Sequence, residues 1–135
     1  MEIANPMPAS QRLVQVCLFA FAAIGMAGGA LQMVLGQPDT TPRLDNVHRF
    51  MAGVYFGTGV ISFWTARTIR QQGTLVYLIA LGVFIAACGR LVSMAKVGLP
   101  EPSWLFLTYL FAELAVSIVI AVAHTAAQRT RAANA

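Results

Sequence analysis

Four apolar runs separated by short polar breaks constrain this chain more than any other feature of it. The first covers 13–35, the third 75–95 and the fourth 104–124, each near the ~20 residues that carry an α-helix across a bilayer core. The second is apolar only from about residue 50 to residue 66. Asp45 ahead of it can N-cap a helix that starts earlier, so the spacing predicts a second span over 45–66.

The breaks are turn-rich. Gly36, Pro38, Asp39 and Pro42 mark the first, residues 67–73 the second, and Gly98, Pro100 and Pro102 the third. Connections this short set consecutive helices side by side and antiparallel. The expected fold is an all-α membrane protein, four antiparallel transmembrane helices in an up-down bundle. It forms one domain over 1–128, followed by a short polar tail over 129–135, with fraying expected from residue 126 onward. A cleaved signal peptide is the rival reading of the first run, because residues 25–30 are mostly small. The run continues through Leu31, Met33, Val34 and Leu35, and Arg12 is the one arginine ahead of it, so a retained span is expected.

Composition agrees. Of 135 residues 58% are hydrophobic and 10% charged, far below the roughly 25% charged residues of soluble domains. The net charge of +4 does not indicate nucleic acid, since the nine basic residues are scattered and form no stripe interleaved with aromatics. Their distribution orients the helices. Arg12, Arg67, Arg70, Arg129 and Arg131 fall on one side, and Arg43, Arg49 and Lys96 on the other, which favours cytoplasmic termini.

Two charges stand inside apolar runs: Arg90 in the third and Glu113 in the fourth. A lone charge at the centre of a membrane helix costs at least ~2.5 kcal/mol, so the two are expected to face each other or a shared polar cavity. Helical spacing sets Arg90 on a face with Gly82, Ala86 and Ser93, and sets Tyr109, Glu113 and Ser117 on one stripe that His124 continues. Arg49 lies four residues after Asp45 and leads a face carrying Gly53 and Gly57, a small-residue pattern repeated at Gly25 and Gly29 and suited to close helix packing. Asp45, Arg49, Arg90, Ser93, Tyr109 and Glu113 therefore form a candidate polar cluster in the outer leaflet. Two readings of it stay open: a pin for helix register, and a cavity that receives a polar head.

Catalytic and metal constellations are weak. Cys17 and Cys88 belong to opposite halves of the membrane, too far apart for a disulfide, and read as packing residues. His48 and His124 fall at opposite surfaces, so neither a metal set nor a Ser/His/Asp arrangement forms, and no cofactor is implied. Trp64 and Trp104 read as interfacial anchors, while Tyr55, Phe56, Phe106 and Tyr109 either wall a pocket or fill the core.

The segments Asp45-Asn46-Val47-His48-Arg49-Phe50-Met51-Ala52-Gly53, Cys88-Gly89-Arg90-Leu91-Val92-Ser93, Gly98-Leu99-Pro100 and Glu113-Leu114 together resemble an uncharacterised bacterial membrane family, a domain of unknown function of the 4345 type. The likeness covers 13–128. What the resemblance implies is a bacterial four-helix inner-membrane protein, without an activity. The residues favour a non-catalytic binding or accessory protein. Beyond the lipid bilayer its partner would be a larger membrane complex, another copy of itself, or a lipid or quinone-like ligand at the cluster. The alternative is a small-molecule transporter or membrane enzyme using Glu113 as acid or base.

Overall fold

The computed structural model describes residues 6–133. They form four long helices, α1 (Ala9–Leu35), α2 (Pro42–Arg67), α3 (Thr74–Val97) and α4 (Ser103–Ala133), with one 3-10 turn at Ile69–Gln71.

Local chemistry explains where each helix stops. Gly36, at φ +64°, ends α1, and its N–H donates to the Gln32 carbonyl. Gly98, at φ +92°, closes α3 in the same way, donating to Met94. The N-cap of α2 is Thr41, whose hydroxyl accepts from the Leu44 N–H at 3.2 Å, with Pro42 next in the first helical turn. Asp45 is therefore not the cap the sequence suggested. It lies within the first turn, where a carboxylate still complements the helix dipole.

Two further expectations change. Residues 126–133 are helical, because α4 continues to Ala133, and the last two residues of the expected tail lie outside the described residues. Its Ala, Gln and Arg residues are good helix formers, and Arg131 in the last turn suits the dipole. Three helices rather than four are long and apolar enough to cross a membrane: α1, α3 and α4. At 26 residues α2 has the length, but His48, Arg49, three glycines and its Thr and Ser residues dilute its apolar character.

The chain forms two compact units, one holding the described parts of Met1–Val14 and Gln71–Ala135, the other Gln15–Arg70. In the second unit α1 and α2 pass in opposite directions. Gln15 Nε2 donates to the Ala66 carbonyl at 2.9 Å, Phe19 meets Phe63 edge-on, and Arg49 reaches the Met33 carbonyl at the other end. The backbones approach closely between these points. A Cβ on Gly29 would sit 2.7 Å from both the Ala52 carbonyl oxygen and the Phe56 nitrogen, and one on Gly59 2.8 Å from the Met26 nitrogen. Gly25 is nearly as tight, 3.1 Å from the Tyr55 carbonyl oxygen. Glycine is required there for contact rather than for flexibility. Gly53 and Gly57 differ, with nothing within 4 Å of where their Cβ atoms would stand.

In the first unit α3 and α4 also pass in opposite directions, Tyr77 meeting Thr125 and Arg90 meeting Glu113. Buried positions on α4 include Leu110, Ser117, Ile120, His124 and Ala127, and those on α3 are Val76, Ala80, Val83 and Ala87. Steps of three and four residues between them, with Glu113 and Arg90 falling in the same series, describe a seam between helices crossing at a shallow angle. The interior face of α3 is thus not the one carrying Gly82, Ala86 and Ser93, all of which are exposed. The reason is volume: Val83 and Ala87 fill the seam, and a residue without a side chain at 82 or 89 adds nothing to it.

Burial along this hairpin is uneven. No residue of α3 beyond Ala87 is buried, and on α4 Leu110 is the one buried residue ahead of Ser117. The half nearer the 98–102 connection, which holds Arg90 and Glu113, is the more exposed half. Elsewhere large apolar side chains cover the outside, among them Ile24, Val34, Ile85, Phe111 and Val122.

Gly29→Ala should lower the thermal midpoint of the detergent-solubilised protein, at about 1–3 kcal/mol for forcing the backbones apart. Gly53→Ala should leave it equal or raise it, by up to about 1 kcal/mol from the backbone entropy removed. Melting followed by circular dichroism checks the contrast, and equal losses would contradict the packing.

Candidate functional site

Arg90 comes off α3 seven residues before its end, one step along the seam from Ala87, and Glu113 comes off α4 one step from Leu110. The seam aims both inward and at each other. Arg90 Nε donates to both carboxylate oxygens of Glu113, at 2.9 and 3.1 Å, and Nη2 donates to Oε1 at 3.0 Å. This is a fork-to-fork pair, which fixes orientation as well as distance. Neither side chain is sealed off, with 29% of Arg90 and 19% of Glu113 exposed. The Tyr109 ring, one helical turn before Glu113, stands 5.7 Å from the guanidinium carbon, and Phe106 packs edge-on against that ring. Tyr109 is itself exposed. The result is a neutral, strongly dipolar group bordered by an aromatic face, in the more exposed half of the hairpin.

Asp45 and Arg49 form a separate pair within the other unit, Arg49 Nε donating to Asp45 Oδ2 at 2.8 Å. The guanidinium also donates to the Met33 carbonyl in the last turn of α1. No basic residue occupies that last turn, so α2 supplies the cation that satisfies the carbonyl end and its dipole. Gly36, whose φ of +64° suits glycine, follows directly at the end of α1 beside this contact. Arg49 caps the carbonyl end of α1 through Nη1 while Nε is held by Asp45. Ser93 is exposed, and its hydroxyl is not part of the Arg90–Glu113 pair.

A third polar group was not legible as such. His124 is fully buried, with Nε2 3.1 Å from the Gly73 carbonyl oxygen and the Tyr77 ring edge-on at 4.8 Å between centroids. Gln128, four residues on, donates to the Gln72 carbonyl and approaches the same imidazole nitrogen at 3.2 Å. Together they tie α4 to the chain entering α3 through the Gly73 and Gln72 carbonyls. Gln128 following His124 at one helical turn was the available signal, and it is faint because glutamine at a helix end usually faces water. Both cysteines are free thiols. Among the described residues no three His, Cys, Asp or Glu side chains gather as a metal-binding group.

The class these features define is a helical protein with three helices long and apolar enough to cross a membrane and one paired Arg–Glu site on the α3–α4 seam. Residues 11–124 match the family described as Domain of unknown function (DUF4345), and the chain belongs to that family. Comparison with curated proteins and with solved structures gave no match.

Arg90→Ala should destabilise the protein by about 1–3 kcal/mol more than Arg90→Ala combined with Glu113→Ala, because the single change strands a carboxylate on an apolar seam. Urea or thermal unfolding in a fixed detergent measures the difference, and equal losses would mean that the pair is not energetically coupled. Arg49→Ala should cost about 1 kcal/mol through the lost cap. In hydrogen exchange the loss should show first in the last turn of α1; a loss confined to α3 and α4 would contradict the capping role.

Proposed function

We propose that this is a multi-pass membrane protein of the binding or accessory kind, a four-helix up-down bundle whose Arg90–Glu113–Tyr109 site takes the polar head of an amphiphile, a lipid or quinone-like molecule. The observation that carries the reading is the combination at that site: a bidentate ion pair left partly open, beside an exposed aromatic ring, in the less buried half of the hairpin. The exposed fraction of both side chains is the surface that a polar head would meet. Chemistry at Glu113 draws less support, since both carboxylate oxygens are already engaged by Arg90.

Membrane insertion is supported by the length and apolar character of α1, α3 and α4 and by the many large apolar side chains facing outward. In this reading α2 crosses as the fourth span, its glycine contacts with α1 replacing the apolar surface it lacks. Arg49 and Asp45 then lie at the interface. The basic residues Arg12, Arg67, Arg70, Arg129 and Arg131 favour cytoplasmic termini in a bacterial inner membrane. By the ~1.5 Å rise per residue, Arg90 lies about 10 Å inside the outer end of α3, a depth an acyl-chain amphiphile reaches with its head.

The test is extraction of the tagged full chain from its membranes directly into lipid nanodiscs, followed by native mass spectrometry. A discrete amphiphile should remain on the wild type, be lost from the Arg90→Ala, Glu113→Ala double variant, and persist in Arg49→Gln. Equal retention by the wild type and the double variant would refute the site. A stoichiometric protein partner with no small molecule would replace it with a docking role.

A further inference from the structure

Among the described residues, charge divides by helix end. The contact of Gln15 with Ala66 brings the start of α1 beside the end of α2, which puts Arg12 and Arg67 at one end of that hairpin. The contact of Gln128 with Gln72 does the same for α4 and the start of α3, so Arg129 and Arg131 stand at the end of their hairpin that the chain enters from α2. Residues 68–73 join the two, and at ~3.6 Å per residue at most they cannot cross a ~30 Å hydrocarbon core. In the membrane reading these arginines therefore belong to one surface. Asp39, Asp45, Glu101 and Glu113, the described acidic residues, all belong to the opposite halves of their hairpins, where Arg43, Arg49, Arg90 and Lys96 balance them one for one. One half is neutral, and the other carries arginine without an acid among the described residues.

Two of these arginines have a reason within the fold. Arg67 and Arg131 occupy the last turns of α2 and α4, where a cation complements the helix dipole. Arg12 is placed the other way. It closes the first turn of α1, its N–H donating to the Pro8 carbonyl, and that turn holds no acid, so the cation stands at the positive end of the dipole. The start of α3 at the same surface also lacks an acid in its first turn and a side-chain cap at Gly73. An anion from outside the chain relieves both.

The residue type narrows the anion. Every basic residue at this surface is an arginine, and the lysine, Lys96, lies at the other. A planar guanidinium takes phosphate through paired N–H donors, whereas an ammonium is a point charge. Arg12, Arg67 and Arg129 are exposed, and exposed apolar side chains adjoin them: Leu13 and Val16 follow Arg12, and Trp64 stands one turn before Arg67. Acyl chain and phosphate meet a phospholipid's neighbours in that same order, which a soluble acidic protein does not reproduce.

We propose that the surface carrying Arg12, Arg67 and Arg129 binds anionic phospholipids, phosphate on the guanidinium groups and acyl chains on the adjoining apolar side chains. A net negative headgroup is preferred to a zwitterionic one, because no described acid stands there to meet an ammonium. The inference rests on the membrane reading above and not on the Arg90–Glu113 site.

The test uses the full chain in nanodiscs made from equal amounts of phosphatidylglycerol and phosphatidylcholine with matched acyl chains. Both faces of a disc hold the same lipids, so the readout does not depend on which way the chain is oriented. Lipids retained after the bulk is stripped are counted by native mass spectrometry. The wild type should keep phosphatidylglycerol over phosphatidylcholine by about fivefold, the worth of roughly one arginine near a phosphate surface. Arg12→Gln, Arg67→Gln and Arg129→Gln together should bring the ratio close to one, whereas Arg43→Gln with Lys96→Gln, which removes charge at the opposite surface, should leave it unchanged. Arg12→Gln alone should lower the ratio with no loss of thermal stability, and helicity by circular dichroism identifies any variant that has failed to fold. A wild type that enters the discs without a phosphatidylglycerol excess overturns the inference, as does an excess that the folded triple variant keeps or that the Arg43, Lys96 variant loses equally. A stoichiometric acidic protein on the chain taken from its own membranes, released by the triple variant and with no lipid excess, replaces the lipid with a protein partner. A chain that does not enter the discs overturns the membrane reading and this inference with it.

Discussion

A charge cannot be left alone on an apolar seam, and that constraint organises the α3–α4 hairpin. Arg90 and Glu113 satisfy each other only if the two helices stand in one register, and three further polar contacts of the hairpin fall in the same register. Tyr77 meets Thr125, His124 meets Gly73 and Gln128 meets Gln72. Sliding either helix by one turn would move Glu113 some 5 Å along its axis and break all of these together. The ion pair therefore shares its register with these contacts, and both of its side chains stay partly exposed.

The α1–α2 hairpin reaches the same end by a different route. It has no charge on its seam; it has glycine. Gly25, Gly29 and Gly59 let the backbones touch, and the helix ends are fastened by Gln15 on Ala66 and by Arg49 on Met33. The loss of apolar bulk that lets α2 pack so closely also makes it the one helix of the four that does not meet the length-and-composition criterion for a span. Close packing and apolar content compete for the same positions, and here packing has taken them.

The sequence was most legible where a residue type permits few environments. Helix number followed from the length of the apolar runs, and the Arg90–Glu113 juxtaposition from two charges in otherwise apolar helices. It was least legible where several residues meet the same need. Thr41 and Asp45 are both good cap residues, and only the geometry distinguishes them. Gly82, Ala86 and Ser93 share a face with Arg90, but so do Val83 and Ala87, and larger side chains gain more from burial. Arg49 reads naturally as a member of the polar cluster because its distant acceptor is a backbone carbonyl, which carries no sequence signature.

The central proposal is that the Arg90–Glu113 pair takes the polar head of an amphiphile, and its lipid form is the most directly measured. Solid-state NMR dipolar recoupling in phosphatidylethanolamine bilayers measures both contacts, with nitrogen-15 in the arginine side chains, carbon-13 in the glutamate carboxylates and phosphorus-31 in the lipid. One guanidinium should be dephased by a glutamate carboxylate and by phosphorus together, and that signal should be absent from Arg90→Lys. If the carboxylate contact is present with no phosphorus nearby, no phospholipid head sits on the pair and the lipid form of the site reading is wrong.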